Sequence, residues 1–83
     1  MTSPAEFNQL FWHSRRGMLE LDLLLVPFLQ EAYSQLSLAD QACYKKLLAQ
    51  EDTELFQWFM QKSAPDDPDL QRIVSIILNR VQP

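Results

Sequence analysis

Glycine is nearly missing from this chain of 83 residues; Gly17 is the one instance. The tight turns of a small β-protein draw heavily on glycine, so that class is disfavoured. Cysteine is equally scarce. A lone Cys43 cannot form an internal disulfide, and one histidine, His13, leaves no Cys/His cluster for a structural metal. An unpaired thiol suits a reducing compartment. No glycine-rich phosphate loop is present, which removes the Rossmann and P-loop signatures. Basic residues are few: 7 Lys and Arg stand against 11 Asp and Glu, for a net charge of −4. A non-specific nucleic-acid binder would carry a basic face instead, so no nucleic-acid partner is expected. Long apolar runs are absent too. The longest, Leu23 to Leu29, is broken by Pro27 and is far too short to span a bilayer. The first ten residues, MTSPAEFNQL, lack the basic and apolar regions of a signal peptide. A cytoplasmic protein without membrane insertion is expected.

What the chain does have is apolar side chains, 47% of the total. A chain this small buries only about 60–65% of the surface its unfolded form exposes, so its stability must come from efficient packing of apolar faces. Start signals and apolar spacing predict an all-α fold, a compact five-helix bundle in one domain over residues 1–83. Ser3-Pro4-Ala5-Glu6 has the form of a capping box, with Pro4 at the first helical position, and opens a helix to Ser14. Arg15-Arg16-Gly17 ends it: cations suit a helix C-terminus, and Gly17 takes positive φ without steric cost. A second helix runs from about Gly17 to Tyr33. Met18, Leu21, Leu25, Phe28, Leu29 and Ala32 form its stripe, while Leu19, Leu23 and Val26 lie off it. A helix apolar nearly all round is either central to a bundle or partly exposed at a binding surface. Pro27 inside this helix is expected to bend it. Ser37 caps a third helix reaching about Gln50, with Cys43, Tyr44, Leu47 and Leu48 inward. Asp52 is expected to cap a fourth, carrying Leu55, Phe56, Phe59 and Met60, with Trp58 on another side. Asp67 and Pro68 open a fifth, whose Leu70, Ile73, Val74, Ile77, Leu78 and Val81 keep the cleanest helical period.

Chemistry is harder to find. An enzyme needs a positioned nucleophile, an acid–base pair, a metal or a cofactor cradle. His13 beside Trp12 reads as a partly buried structural histidine, and Cys43 as an inert buried thiol. The six carboxylates between Glu51 and Asp69 match no calcium loop and read as caps and solvated positions. The run from Trp12 to Asp22 is different, since it gathers an aromatic ring, two arginines, the sole glycine and two carboxylates at one helix junction. Its bland reading is a C-cap with an Arg16–Glu20 pair worth about 0.3 kcal/mol. Its functional reading is an exposed recognition patch, because arginine and aromatic anchors are typical of protein interfaces.

Arg16-Gly17-Met18-Leu19-Glu20 matches the RGxxE motif, and the chain resembles the SdhE family of flavinylation, or succinate dehydrogenase assembly, factors. Trp12, Arg15, Leu21-Asp22, Pro27-Phe28, Leu47-Leu48, Asp52 and Leu55-Phe56-x-Trp58 extend the likeness over nearly the whole chain. The resemblance implies a five-helix fold and a chaperone-like role, not an enzyme. It also implies a partner: the flavoprotein subunit of succinate dehydrogenase or fumarate reductase, in which FAD becomes bonded through its 8α carbon to a histidine. Arg16, Gly17 and Glu20 are the matching functional positions, with Arg15 and Asp22 as neighbours in the interface. On this reading Arg16 offers its fork to the partner, and Glu20 pairs with a partner cation or orients Arg16. The factor would work as a monomer and hold no FAD tightly, acting on FAD held by the partner. The family also implies an alternative class, the antitoxin half of a toxin–antitoxin pair.

Overall fold

Ser3 does close the first helix: its Oγ accepts the Glu6 N–H at 3.1 Å, and Pro4 follows at the first helical position. The other half of the capping box does not form. Glu6 gives its carboxylate to Lys45 Nζ at 2.8 Å, so a cap expected to be local becomes a tie from the first helix to the third. In the computed structural model, which describes residues 3–81, the helices are α1 (Pro4–Ser14), α2 (Leu19–Glu31), α3 (Leu38–Leu48), α4 (Asp52–Phe59) and α5 (Pro68–Val81). A short 3-10 turn, Tyr33–Gln35, links α2 to α3.

The all-α, five-helix expectation holds, and the differences fall at helix ends. α2 starts at Leu19, not Gly17, because Gly17 sits at φ +79°, outside any right-handed helix. It stops at Glu31 and tightens into the 3-10 turn, which buries Tyr33. The helix continues through Pro27. Ser37 caps α3 by accepting the Asp40 N–H at 3.1 Å. Asp52 is not the cap of α4; Glu51 holds that position without a side-chain bond, and Asp52 is the first helical residue. α4 ends where glycine would be expected and glutamine stands. Gln61 takes φ 60°, Lys62 N–H reaches Gln57 O at 2.9 Å and Gln61 N–H reaches Trp58 O at 3.1 Å. That double closure of the last carbonyls holds a non-glycine residue in the left-handed region. At α5, Asp67 Oδ1 accepts the Asp69 N–H at 2.8 Å, the start that Asp67-Pro68 predicts.

The core gathers around α2. Leu21, Leu25, Phe28 and Leu29 are buried with Tyr44 and Leu47 of α3, Leu55 and Phe59 of α4, and Ile73 and Ile77 of α5. Met18 and Ala32 are only partly buried at the ends of that stripe, and Met60 is exposed. The side chain of Val81, predicted to complete the α5 stripe, lies outside the described residues. Tyr44 is the centre of the polar core. Ser14 Oγ donates to Leu10 O at 2.7 Å, so the Tyr44 hydroxyl, 2.6 Å away, donates to Ser14 Oγ. Burial pushes the Tyr44 hydroxyl up to about 12, so it stays a neutral donor. The last turn of α1 is thereby pinned to α3.

Three ion pairs, centred on two basic residues, join α3 to α5 and to Asp67 just before it. Arg72 holds the buried Asp40 with both prongs, Nε to Oδ1 at 2.6 Å and Nη2 to Oδ2 at 3.1 Å, and Lys46 bridges Asp67 and Asp69. The Arg72 guanidinium pulls the Asp40 carboxyl below its ordinary value, and Lys46 does the same to Asp67. A lowered carboxylate contributes stability above its unfolded-state pKa, about 3.9, and loses it as pH falls through the folded value. The melting temperature should therefore fall as pH drops below about 4, and Asp40→Asn should flatten that slope. Thermal melts of both proteins between pH 7 and pH 2 check this; parallel slopes would remove Asp40 from the account.

Candidate partner-docking surface

The junction between α1 and α2 is built from the backbone outward. α1 ends when Arg15 turns extended, its N–H still reaching Phe11 O at 3.2 Å. The Arg16 N–H then donates to Asp22 Oδ1 at 2.7 Å, so a carboxylate in the first turn of α2 holds the chain that leads into it. Gly17 makes the reversal at φ +79°, is exposed, and has nothing within 4 Å of where a Cβ would stand. The turn is thus fixed at both ends and bare at its apex.

Arg16 does not pair with Glu20. Its guanidinium donates to Leu48 O and to Gln50 O (3.3 Å), and lies 3.4 Å from Asp52 Oδ1. Only 15% of its side chain is exposed. Those carbonyls mark the C-terminal end of α3, where no helical amide is left to receive them, so Arg16 caps a helix 32 residues downstream. The sequence expectation that Arg16 offers its fork outward meets a fork already engaged within the chain. Arg16 Nε and Asp52 Oδ1 are also buried without a hydrogen-bond partner among the described residues, so charge attraction rather than an aimed hydrogen bond holds that pair.

The exposed side chains form a strip beside this turn. Trp12 and Leu19 are each 66% exposed and Leu23 is 64% exposed, a large apolar area for one corner of a small protein. Trp12 stands edge-on to Phe11, with ring centroids 5.7 Å apart at 83°, which holds it without burying it. A shallow groove of about 390 Å³ runs along the strip, its walls including Phe11, Arg15, Leu19, Asp22, Leu23 and Pro27. Arg15 and Glu20 are exposed, and neither has an ion-pair partner among the described residues. The five residues singled out in sequence therefore divide. Arg15, Gly17 and Glu20 face solvent; Arg16 turns into the bundle, and the half-buried Asp22 holds the turn while also lining the groove. Leu19 and Leu23 carry most of the apolar strip; their lying off the α2 stripe was the signal for them.

Elsewhere the surface offers little chemistry. His13, expected to be partly buried, is exposed on the rim of a hollow with Glu6, Gln9 and Lys45. Cys43 is buried, and burial pushes its thiol up, away from the reactive thiolate. Among the described residues no three His, Cys, Asp or Glu side chains converge as metal ligands, and no helix is long and apolar enough to cross a membrane. A wider hollow of about 690 Å³ between Trp58, Pro65 and Val74 shares no residue with the strip.

A turn held at both ends with a bare apex, flanked by exposed apolar side chains and a charge of each sign, gives this helical protein the features of a docking surface. Comparison with known proteins names the kind. The chain belongs to the family described as flavinator of succinate dehydrogenase, whose sequence model matches residues 8–81. It is 58% identical to the FAD assembly factor SdhE of Pseudomonas putida over 100% of this chain and 99% of that protein. The FAD assembly factor SdhE of Pseudomonas aeruginosa is likewise 58% identical over the same shares. That of Colwellia psychrerythraea is 49% identical over 89% of this chain and 81% of its own length.

Proposed function

We propose that this protein is an FAD assembly factor. It docks through the α1–α2 strip onto the flavoprotein subunit of succinate dehydrogenase or fumarate reductase, in the cytoplasm, and promotes covalent attachment of FAD to a histidine of that subunit. Family membership and the names of its relatives support the role. The observation that carries the docking site is the exposure of Trp12, Arg15, Gly17, Leu19, Glu20 and Leu23 around one locked turn.

The factor acts by positioning, with no acid, base or nucleophile of its own in the reaction. It binds an immature conformation of the subunit in which FAD and the acceptor histidine lie together, and so raises the population of that conformation. The apolar strip supplies desolvation energy; Arg15 and Glu20 set orientation against opposite charges on the partner. FAD stays with the subunit throughout.

The direct test is in-gel flavin fluorescence of the purified flavoprotein subunit, made with and without this protein. Equal covalent flavin in the two samples would overturn the proposal. The strip itself is probed by Leu23→Asp and Glu20→Ala. Both side chains are solvated, so the melting temperature should move by no more than a few degrees. Leu23→Asp should weaken binding by tenfold or more, since a desolvated apolar anchor is worth about 1–2 kcal/mol or more, and Glu20→Ala should weaken it less. A large fall in melting temperature for Glu20→Ala, with affinity intact, would return Glu20 to a structural role.

A further inference from the structure

Arg16 lies in the middle of the docking turn, yet its charge is directed into its own chain. One residue binds three elements: its N–H is held by Asp22 of α2, its fork caps the end of α3, and its charge faces Asp52 at the start of α4. The next residue is Gly17, the softest joint in the chain and the apex of the docking surface. A guanidinium that is 15% exposed needs a counter-charge, and Asp52 is the carboxylate within ion-pair distance. Without that carboxylate the fork is held by two carbonyls alone, and a shift of Arg16 is passed directly to the Gly17 hinge.

We infer that Asp52, which lies outside the exposed strip, is a positioning residue for docking: it fixes Arg16, and Arg16 fixes the shape of the turn. This rests on the α1–α2 strip being the docking site. It assigns Asp52 a functional role that helix capping does not supply, since Asp52 does not cap α4.

The test measures the affinity of the purified flavoprotein subunit of succinate dehydrogenase for the full-length wild-type protein, Asp52→Asn, Asp52→Ala, Asp52→Glu, Arg16→Ala and the Arg16→Ala/Asp52→Asn double variant. Each is held well below its own melting temperature. Asp52→Asn, which keeps the shape and removes the charge, should weaken binding about tenfold. Asp52→Ala should behave similarly, and Asp52→Glu should recover most of the affinity. The double variant should bind no worse than the weaker of its two parents, because both changes break one clamp. Wild-type affinity in folded Asp52→Asn would overturn the inference, as would losses that simply add in the double variant. A role in stability alone would lower the melting temperature and leave the affinity of folded protein unchanged, and that result also overturns it. Gly17→Arg in the same assay separates the two levels. If it binds like wild type, the docking site is wrong and the Asp52 role falls with it; if it fails to bind while Asp52→Asn binds normally, only the Asp52 role falls.

Discussion

Gly17→Arg is expected to leave the bundle folded and to bring covalent flavin in the partner subunit down to the level seen with no factor present. The new Cβ would meet nothing within 4 Å, so no internal packing has to give way. Its cost is conformational. At φ +79° an arginine sits in the left-handed region, at about 1–2 kcal/mol, which corresponds to a fall of roughly 5–10 °C in melting temperature. Against that modest cost stands a long charged side chain added at the apex of the proposed docking surface. Gly17→Ala is the informative companion. It carries the same backbone strain without the bulk, so it should melt near Gly17→Arg while keeping most of the stimulation. Flavinylation at the wild-type rate with Gly17→Arg would sink the docking assignment; equal loss in both variants would place the effect in the backbone instead.

Phe28→Ala is expected to abolish or nearly abolish folding. Phe28 is 1% exposed, and its ring lies 5.5 Å from that of Tyr44, centroid to centroid. Truncating a buried phenylalanine costs about 3–5 kcal/mol. A domain of this length has roughly 4–12 kcal/mol in total, so the loss takes a large share of the margin or all of it. Tyr44 also loses a neighbour, while its hydroxyl still has to satisfy Ser14 at the end of α1. Urea titration followed by circular dichroism measures the effect. A midpoint within experimental error of wild type would mean that the core can close over the cavity.

The contrast between these two substitutions shows where the sequence was readable. Leu70, Ile73, Val74 and Ile77 of α5 and Leu21, Leu25, Phe28 and Leu29 of α2 were legible because helical period and burial are the same fact seen twice. Ser3, Ser37 and Asp67 were legible as caps because each acts on amides two or three residues away. Residues whose partners are distant in sequence were not. Glu6 was expected to reach back along its own helix and goes instead to Lys45; Asp52 was expected to cap and faces Arg16; Arg16, read either as a partner of Glu20 or as an outward fork, meets the end of α3. In each case a short-range expectation lost to a partner that only the packed bundle brings near. Gln61 escaped for another reason: the doubly closed end of α4 stabilises a backbone conformation that residue type alone argues against. At the candidate site, Gly17 and the exposed leucines could be read, but the inward roles of Arg16 and Asp22 could not.

Pro27 gives the strip something that leucines alone cannot. It has no N–H, so the carbonyl of Leu23, one turn earlier in α2, receives no amide from Pro27. Grease by itself is tolerant of sliding and rotation, since dispersion has no preferred direction. A pyrrolidine ring beside it is a fixed shape, since Pro27 has no free side-chain rotation with which to yield. Pro27 therefore removes one rung from the hydrogen-bond ladder of α2 and sets a rigid ring in the groove wall beside Leu19 and Leu23.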